Sequence, residues 1–203
     1  MCPTEDIQPD RSPPRVPMLL FIGPPSSGKS SAAREAAQIL DDAGIAYALV
    51  DRDEFGTNGI LHEDPLLGLN ELLHGRVQEG AQRLIVAWRV ESGLELARVC
   101  SALDWAEITV CRLRAEQDVL LERIAAGQPN FQSLHLQAMA LEIAPRLELQ
   151  VDEDILLSTD DTLPRAVAMR ALRQWSMRRV AMTSEPARAP EGEHARLGGP
   201  AAA

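Results

Sequence analysis

Gly23-Pro24-Pro25-Ser26-Ser27-Gly28-Lys29-Ser30 is the stretch on which the reading of this chain turns. It fits the pattern G-x-x-x-x-G-K-[ST], a loop that wraps phosphate. Backbone N–H groups must come close to anionic oxygens in such a loop. That favours glycine at Gly23 and Gly28, where a Cβ would obstruct the approach or demand positive φ. Lys29 adds a mobile point charge. At a helix N-terminus the unpaired amides and the helix dipole favour phosphate, and the Ser30 hydroxyl is placed to ligate a magnesium ion bridging phosphate oxygens.

The flanks supply the context the pattern requires. Met18-Leu19-Leu20-Phe21-Ile22 is an apolar run of strand length, and residues 31–40 read as a helix rich in Ala, Glu, Gln and Arg. Gly44 is positioned to end that helix. Further apolar runs follow: Ala46-Tyr47-Ala48-Leu49-Val50 closed by Asp51, then Leu84-Ile85-Val86-Ala87-Trp88, then 106–113, then Ile155-Leu156-Leu157-Ser158. Between them lie helical stretches at 65–82 (in part irregular), 93–102, 116–126 and 134–147, and a last helix with Thr162 as N-cap and Pro164 in its first turn runs to 179. Uninterrupted apolar strands alternating with helices predict an α/β fold, a parallel five-stranded sheet covered by helices on both faces.

The chain of 203 residues carries a formal net charge of −10 and is 45% hydrophobic, which suits one globular domain with a sizeable core. An acidic chain without a clustered basic face disfavours duplex nucleic acid as a partner, although local cations can hold one nucleotide. Cys2, Cys100 and Cys111 have neither C-x-x-C spacing nor an even count, so no disulfide framework or zinc site is indicated. No apolar stretch is long enough to span a membrane and the N-terminus lacks a secretory h-region, so a cytoplasmic protein is expected. Residues 1–15 are proline-rich and 182–203 are Pro, Ala, Gly and Glu without periodicity, which places the folded domain at 16–181 between two disordered ends.

Gly23 to Ser30, Asp51-Arg52-Asp53-Glu54-Phe55, and Cys111-Arg112-Leu113-Arg114-Ala115 followed by Leu121-Glu122-Arg123-Ile124 together resemble the adenylate-kinase-like group of small P-loop kinases. That group includes zeta-toxin, polynucleotide kinase, gluconate kinase and antibiotic phosphotransferase relatives, and the order of parts is also similar to uncharacterised actinobacterial ATP-binding proteins. The resemblance implies strand order 2-3-1-4-5, with ATP and Mg²⁺ at the glycine loop and an acceptor pocket beyond the second strand. The nucleotide-contacting set it implies is Gly23, Pro24, Pro25, Ser26, Ser27, Gly28, Lys29, Ser30, Ser31, Arg114 and Arg123, with Ser30 and Asp51 toward the metal. Asp53, in an Asp-x-aromatic setting, is the implied base for the acceptor hydroxyl, the roles of Asp51 and Asp53 being exchangeable. Lys29 and Arg123 are the implied charge-stabilising groups.

The chain departs from the pattern at three places. Arg123 matches the first arginine of an R-x-x-x-R lid, but Gly127 stands at the second, leaving Arg112, Arg114 or Arg146 to supply a cation. After the third strand comes Arg89-Val90-Glu91, with Glu91 in place of the usual aspartate, and Gly56 stands where polynucleotide kinases and zeta-toxins have arginine. His62 lies in the loop expected to meet an acceptor, whereas Trp88, Trp105 and Trp175 are expected to pack against helices. No N-K-x-D guanine-reading motif is present, which favours ATP. Two functions follow as expectations: a kinase moving the ATP γ-phosphoryl group to a small-molecule hydroxyl, and a nucleotide-binding regulatory module or slow NTPase.

Overall fold

The computed structural model describes residues 15–52, 64–127 and 131–183. Its elements are, in chain order, β1 (Val16–Ile22), α1 (Lys29–Asp42), β2 (Tyr47–Asp51), α2 (Pro65–Gln78), β3 (Arg83–Ala87), α3 (Gly93–Ala102), β4 (Ala106–Arg114), α4 (Gln117–Ala126), α5 (Phe131–Gln150), β5 (Ile155–Ser158) and α6 (Pro164–Thr183). The five strands form one sheet in the order β2-β3-β1-β4-β5, every neighbouring pair parallel. Both the α/β class and the strand order expected above are present.

β1 is the central strand, and Met18 to Ile22 are completely buried. A parallel strand covered on both faces has no polar side, which is why its sequence is an unbroken apolar run. Its side chains alternate between the two cores. Met18, Leu20 and Ile22 join Leu69 and Leu73 of α2, Leu96 and Val99 of α3, and Ile143 and Leu147 of α5. Leu19 and Phe21 join Ala32, Ala33, Ala36 and Ala37 of α1 and Val167, Ala168, Ala171 and Trp175 of α6. A smaller cluster of Leu120, Ile124 and Ala140 joins α4 to α5.

The ends of several elements follow local chemistry. α1 stops in a Schellman arrangement, in which the Gly44 N–H donates to Asp41 O and the Ile45 N–H to Leu40 O, both at 2.9 Å, with Gly44 at φ 68°. The Asp64 carboxylate accepts from the Leu66 N–H at the start of α2, and the Ser92 hydroxyl from the Glu95 N–H at the start of α3. Three of the boundaries that differ from the sequence expectation have a visible cause. β1 begins two residues early because Val16 and Pro17 pair with Ala106 and Glu107. α5 runs straight through Pro145 to Gln150, since Leu147 is anchored in the core and the carbonyl that Pro145 leaves unpaired, that of Leu141, belongs to a residue 42% exposed. α6 starts with Pro164 as its first residue, so the Leu163 carbonyl accepts the first helical bond and Thr162 is not the cap.

Candidate functional site

Helix α1, after β1, packs on one face of the sheet, and helix α3, after β3, packs on the other. Adjacent strands whose connections leave on opposite faces open a crevice at their carboxyl ends, and ligands collect there in open α/β sheets. The loop between β1 and α1 occupies that crevice.

Three residues of the loop sit at positive φ: Gly23 at 150°, Ser26 at 60° and Gly28 at 90°. A Cβ on Gly23 would meet the Leu113 carbonyl oxygen and lie 2.6 Å from Ser27 Oγ, so the neighbouring strand leaves room for glycine alone. Ser27 is completely buried, and its Oγ has no hydrogen-bond partner among the described residues. Lys29 folds back over the loop, with Nζ donating to the carbonyl oxygens of Gly23 and Pro24 at 3.1 and 2.9 Å. Those carbonyls hold the ammonium where a phosphate oxygen would compete for it.

Arg123 reaches this loop from α4. Its guanidinium donates to Thr159 Oγ1 at 3.0 Å, to the Thr159 carbonyl at 2.6 Å and to the Ser26 carbonyl at 3.4 Å. A residue 97 positions along the chain is thus held against the glycine loop. Behind it, Asp160 accepts from Ser158 Oγ and from the Glu116 N–H, and these bonds, with the charge of Arg123, hold its carboxyl below the ordinary 3.8. The turn after β5 is therefore pinned beside the start of α4 with an anion facing the arginine.

Two cavities meet at Ser26, Lys29 and Ser30 of the loop. The larger, about 540 Å³, is bounded by Ser26, Gly28 through Ala32, Arg123, Thr159 and Thr162, with Pro164 and Val167 at an apolar end. The smaller, about 180 Å³, is bounded by Pro25, Ser26, Lys29 and Ser30 of the loop, Asp51 and Arg52 at the end of β2, Ala87 and Arg89 at the end of β3, and Leu136 of α5. Ser26, Lys29 and Ser30 are a shared wall between the two.

Asp51 is the buried carboxylate of the smaller cavity, and its Oδ2 lies 3.3 Å from the Arg34 guanidinium of α1. Ser31 lines the larger cavity with Arg123. Arg114 lines a further cavity of about 240 Å³ between β4, α4 and α5, which touches the loop at Pro24, and its guanidinium lies 3.9 Å from Glu148. Arg112 is buried and forked onto Glu153 at 2.9 and 3.0 Å, and Arg146 pairs with Glu142 one turn away on α5. The cation that meets the loop across the fold is Arg123. Glu91 sits 3.4 Å from Arg89, and its own N–H donates to Glu95. Asp53, Gly56 and His62 lie outside the described residues. Trp88 and Trp175 are buried in the cores as expected, and Trp105 stacks on His74 while donating to Asn70. The sequence reading missed Thr159, Thr162, Pro164 and Val167, whose signal was their place just beyond the carboxyl end of the last strand.

No family model matches the chain, and no curated protein matches it. Solved structures do. The tunicamycin resistance protein of Deinococcus radiodurans superposes with a TM-score of 0.57 at 23% identity, over 79% of this chain and 95% of its own. A gluconokinase from Sinorhizobium meliloti gives 0.54 at 19% identity, over 85% and 100%. The APS kinase CysC of Mycobacterium tuberculosis, in complex with AMPPNP and APS, gives 0.51 at 22% identity, over 82% and 99%. The fold is that of the small P-loop kinases. Within that kinase fold this chain keeps the glycine loop whole. Among its described residues, the carboxylate of the second acidic position, Glu91, is engaged by Arg89.

Proposed function

We propose that the protein is an ATP-dependent kinase that moves the γ-phosphoryl group to a hydroxyl of a small molecule. The observation that carries this reading is the shared wall: two cavities of unequal size meet on Ser26, Lys29 and Ser30. Phosphoryl transfer requires a donor and an acceptor in line on either side of the transferred group, and beyond that it is mainly positioning and charge neutralisation. The larger cavity takes the nucleotide, with its apolar end at Pro164 and Val167 toward the base and its loop end toward the phosphates. The smaller takes the acceptor.

Lys29 exchanges the Gly23 and Pro24 carbonyls for phosphate oxygens when the nucleotide enters. Arg123, already against Ser26, adds a guanidinium to the same charge. Ser30 and Asp51 fit a magnesium ion: one hydroxyl and one buried carboxylate border the same cavity, and this ion keeps waters and phosphate oxygens for its other ligands. Among the described residues no group of three or more His, Cys, Asp or Glu could make a cage for a metal. Magnesium bound with the nucleotide would neutralise phosphate charge, and Arg34 holds the Asp51 carboxylate from the α1 side. Asp53, in its Asp-x-aromatic setting two residues beyond Asp51, takes the proton of the acceptor hydroxyl.

The second reading, a nucleotide-binding module or slow NTPase, is favoured by the engagement of Glu91 with Arg89 and by glycine at the second lid position. Incubation with γ-labelled ATP, Mg²⁺ and a library of hydroxyl metabolites separates the two. Labelled organic phosphate that disappears in Lys29→Ala, and in an Asp53→Asn variant that still binds ATP, supports the kinase. Free phosphate as the sole product supports the module, and transfer by Asp53→Asn at the wild-type rate removes Asp53 as the base.

A further inference from the structure

We infer that the acceptor carries an anionic group, a carboxylate, sulfate or phosphate, which Arg52 and Arg89 bind at the mouth of the smaller cavity. The inference rests on the reading that this cavity receives the acceptor.

Arg52 and Arg89 follow the carboxyl ends of two hydrogen-bonded strands, where Asp51 of β2 is in register with Ala87 of β3, so their backbones emerge side by side. Both border the smaller cavity. The Arg52 guanidinium carbon lies 5.2 Å from the ring centroid of Trp88, itself buried in the core. An indole face fixes the plane of a guanidinium without consuming its N–H donors. Among the described residues Arg52 makes no ion pair, and its fork of donors is held in place by the indole. Arg89 is half-exposed and 3.4 Å from Glu91, a contact too long to use its donors fully.

The charges around the cavity separate by role. Asp51 is offset by Arg34, which approaches from α1, and Lys29 is committed to the loop. Among the described residues, Arg52 and the shared Arg89 remain to face the acceptor, a pair suited to a planar or tetrahedral oxyanion bound in two-pronged fashion. Leu136 of α5 closes the cavity from the apolar side, which suits the carbon skeleton between the anion and the reacting hydroxyl.

The test uses the full-length protein saturated with AMPPNP and Mg²⁺, so that the glycine loop is filled and cannot itself take up an added anion. Inorganic sulfate, D-glycerate and glycerol are titrated by calorimetry into wild type, Arg52→Gln and Arg89→Gln. The expected result is saturable, mutually competitive binding of sulfate and D-glycerate, no heat from glycerol, and affinity reduced about 10- to 100-fold in Arg52→Gln, the range for a charge-assisted hydrogen bond. A smaller loss is expected in Arg89→Gln, whose donor is shared with Glu91. Titration of AMPPNP itself into each variant checks that the fold and the nucleotide cavity are intact. Absence of anion binding at tens of millimolar, or equal binding by wild type and Arg52→Gln, overturns the inference. The transfer assay keeps the two failures apart. Arg52-dependent anion binding with no phosphoryl transfer to any hydroxy acid leaves the anion site standing and removes the kinase. Transfer to neutral polyols in preference to their acids keeps the kinase and removes the anion site.

Discussion

At the scale of single residues, the glycine loop separates two demands that look alike in sequence. Gly23 and Gly28 both hold positive φ, but a Cβ on Gly23 meets the Leu113 carbonyl and Ser27 Oγ, whereas at Gly28 it meets nothing within 4 Å. Gly23→Ala is therefore expected to cost about 2 kcal/mol or more of stability, from overpacking against β4 on top of backbone strain, and Gly28→Ala about 1 kcal/mol from strain alone. Urea melts of the two variants check the order, and equal losses would show that the contact with β4 is unimportant. Arg123 spends its donors on Thr159 and Ser26, so Arg123→Gln is expected to weaken binding of a fluorescent ATP analogue by about 10- to 100-fold, the range for hydrogen bonds to a charged group. An unchanged Kd would mean that Arg123 only ties β5 to the loop. Gly23, Lys29 and Ser30 were legible in the sequence because their spacing is the chemistry. The meeting of Arg123 with Ser26 was not, since proximity across 97 positions is a property of the folded chain.

At the scale of elements, β4 and the turn before β5 are joined by charge. Arg112 forks onto Glu153 with both side chains largely buried, and Asp154 accepts from the Val110 N–H while pairing with Arg178 of α6. Removing one partner of a buried pair strands the other without solvent. Glu153→Ala is thus expected to lose roughly 3 kcal/mol, readable as a fall in the urea midpoint at unchanged m-value. A loss of a few tenths would mean that water reaches Arg112. Periodicity and bounding turns located all five strands and a stretch of each helix, because an apolar run and its bounding turns are local features. They misplaced the ends of α5 and α6 because those ends are set by tertiary anchors. Leu147 in the core carries α5 past Pro145, and the Leu163 carbonyl accepts the first bond of α6 while Thr162 lines the larger cavity.

At the scale of the whole molecule, the crevice is built from six separate stretches of chain: the glycine loop, the ends of β2 and β3, α4, the turn after β5 and the first turns of α5. A ligand that binds such an assembly and not the unfolded chain stabilises it by mass action. AMPPNP with Mg²⁺ at 100 times its Kd is expected to add about 2.7 kcal/mol, seen as a rise in Tm of several degrees that Lys29→Ala abolishes. No shift in the wild type would contradict nucleotide binding in this crevice. The sequence by itself determined that there is a phosphate loop between a strand and a helix, because the rules for such a loop are written within eight adjacent residues. It also determined a parallel sheet, because strands buried on both faces must be apolar throughout. Only the tertiary structure decided which of four candidate arginines meets Ser26 of the glycine loop, that Arg114 borders a different cavity, and that Arg52 lies against Trp88 beside Asp51. A charge acts through distance in space, and distance between remote residues exists only once the sheet has brought its strand ends to one edge.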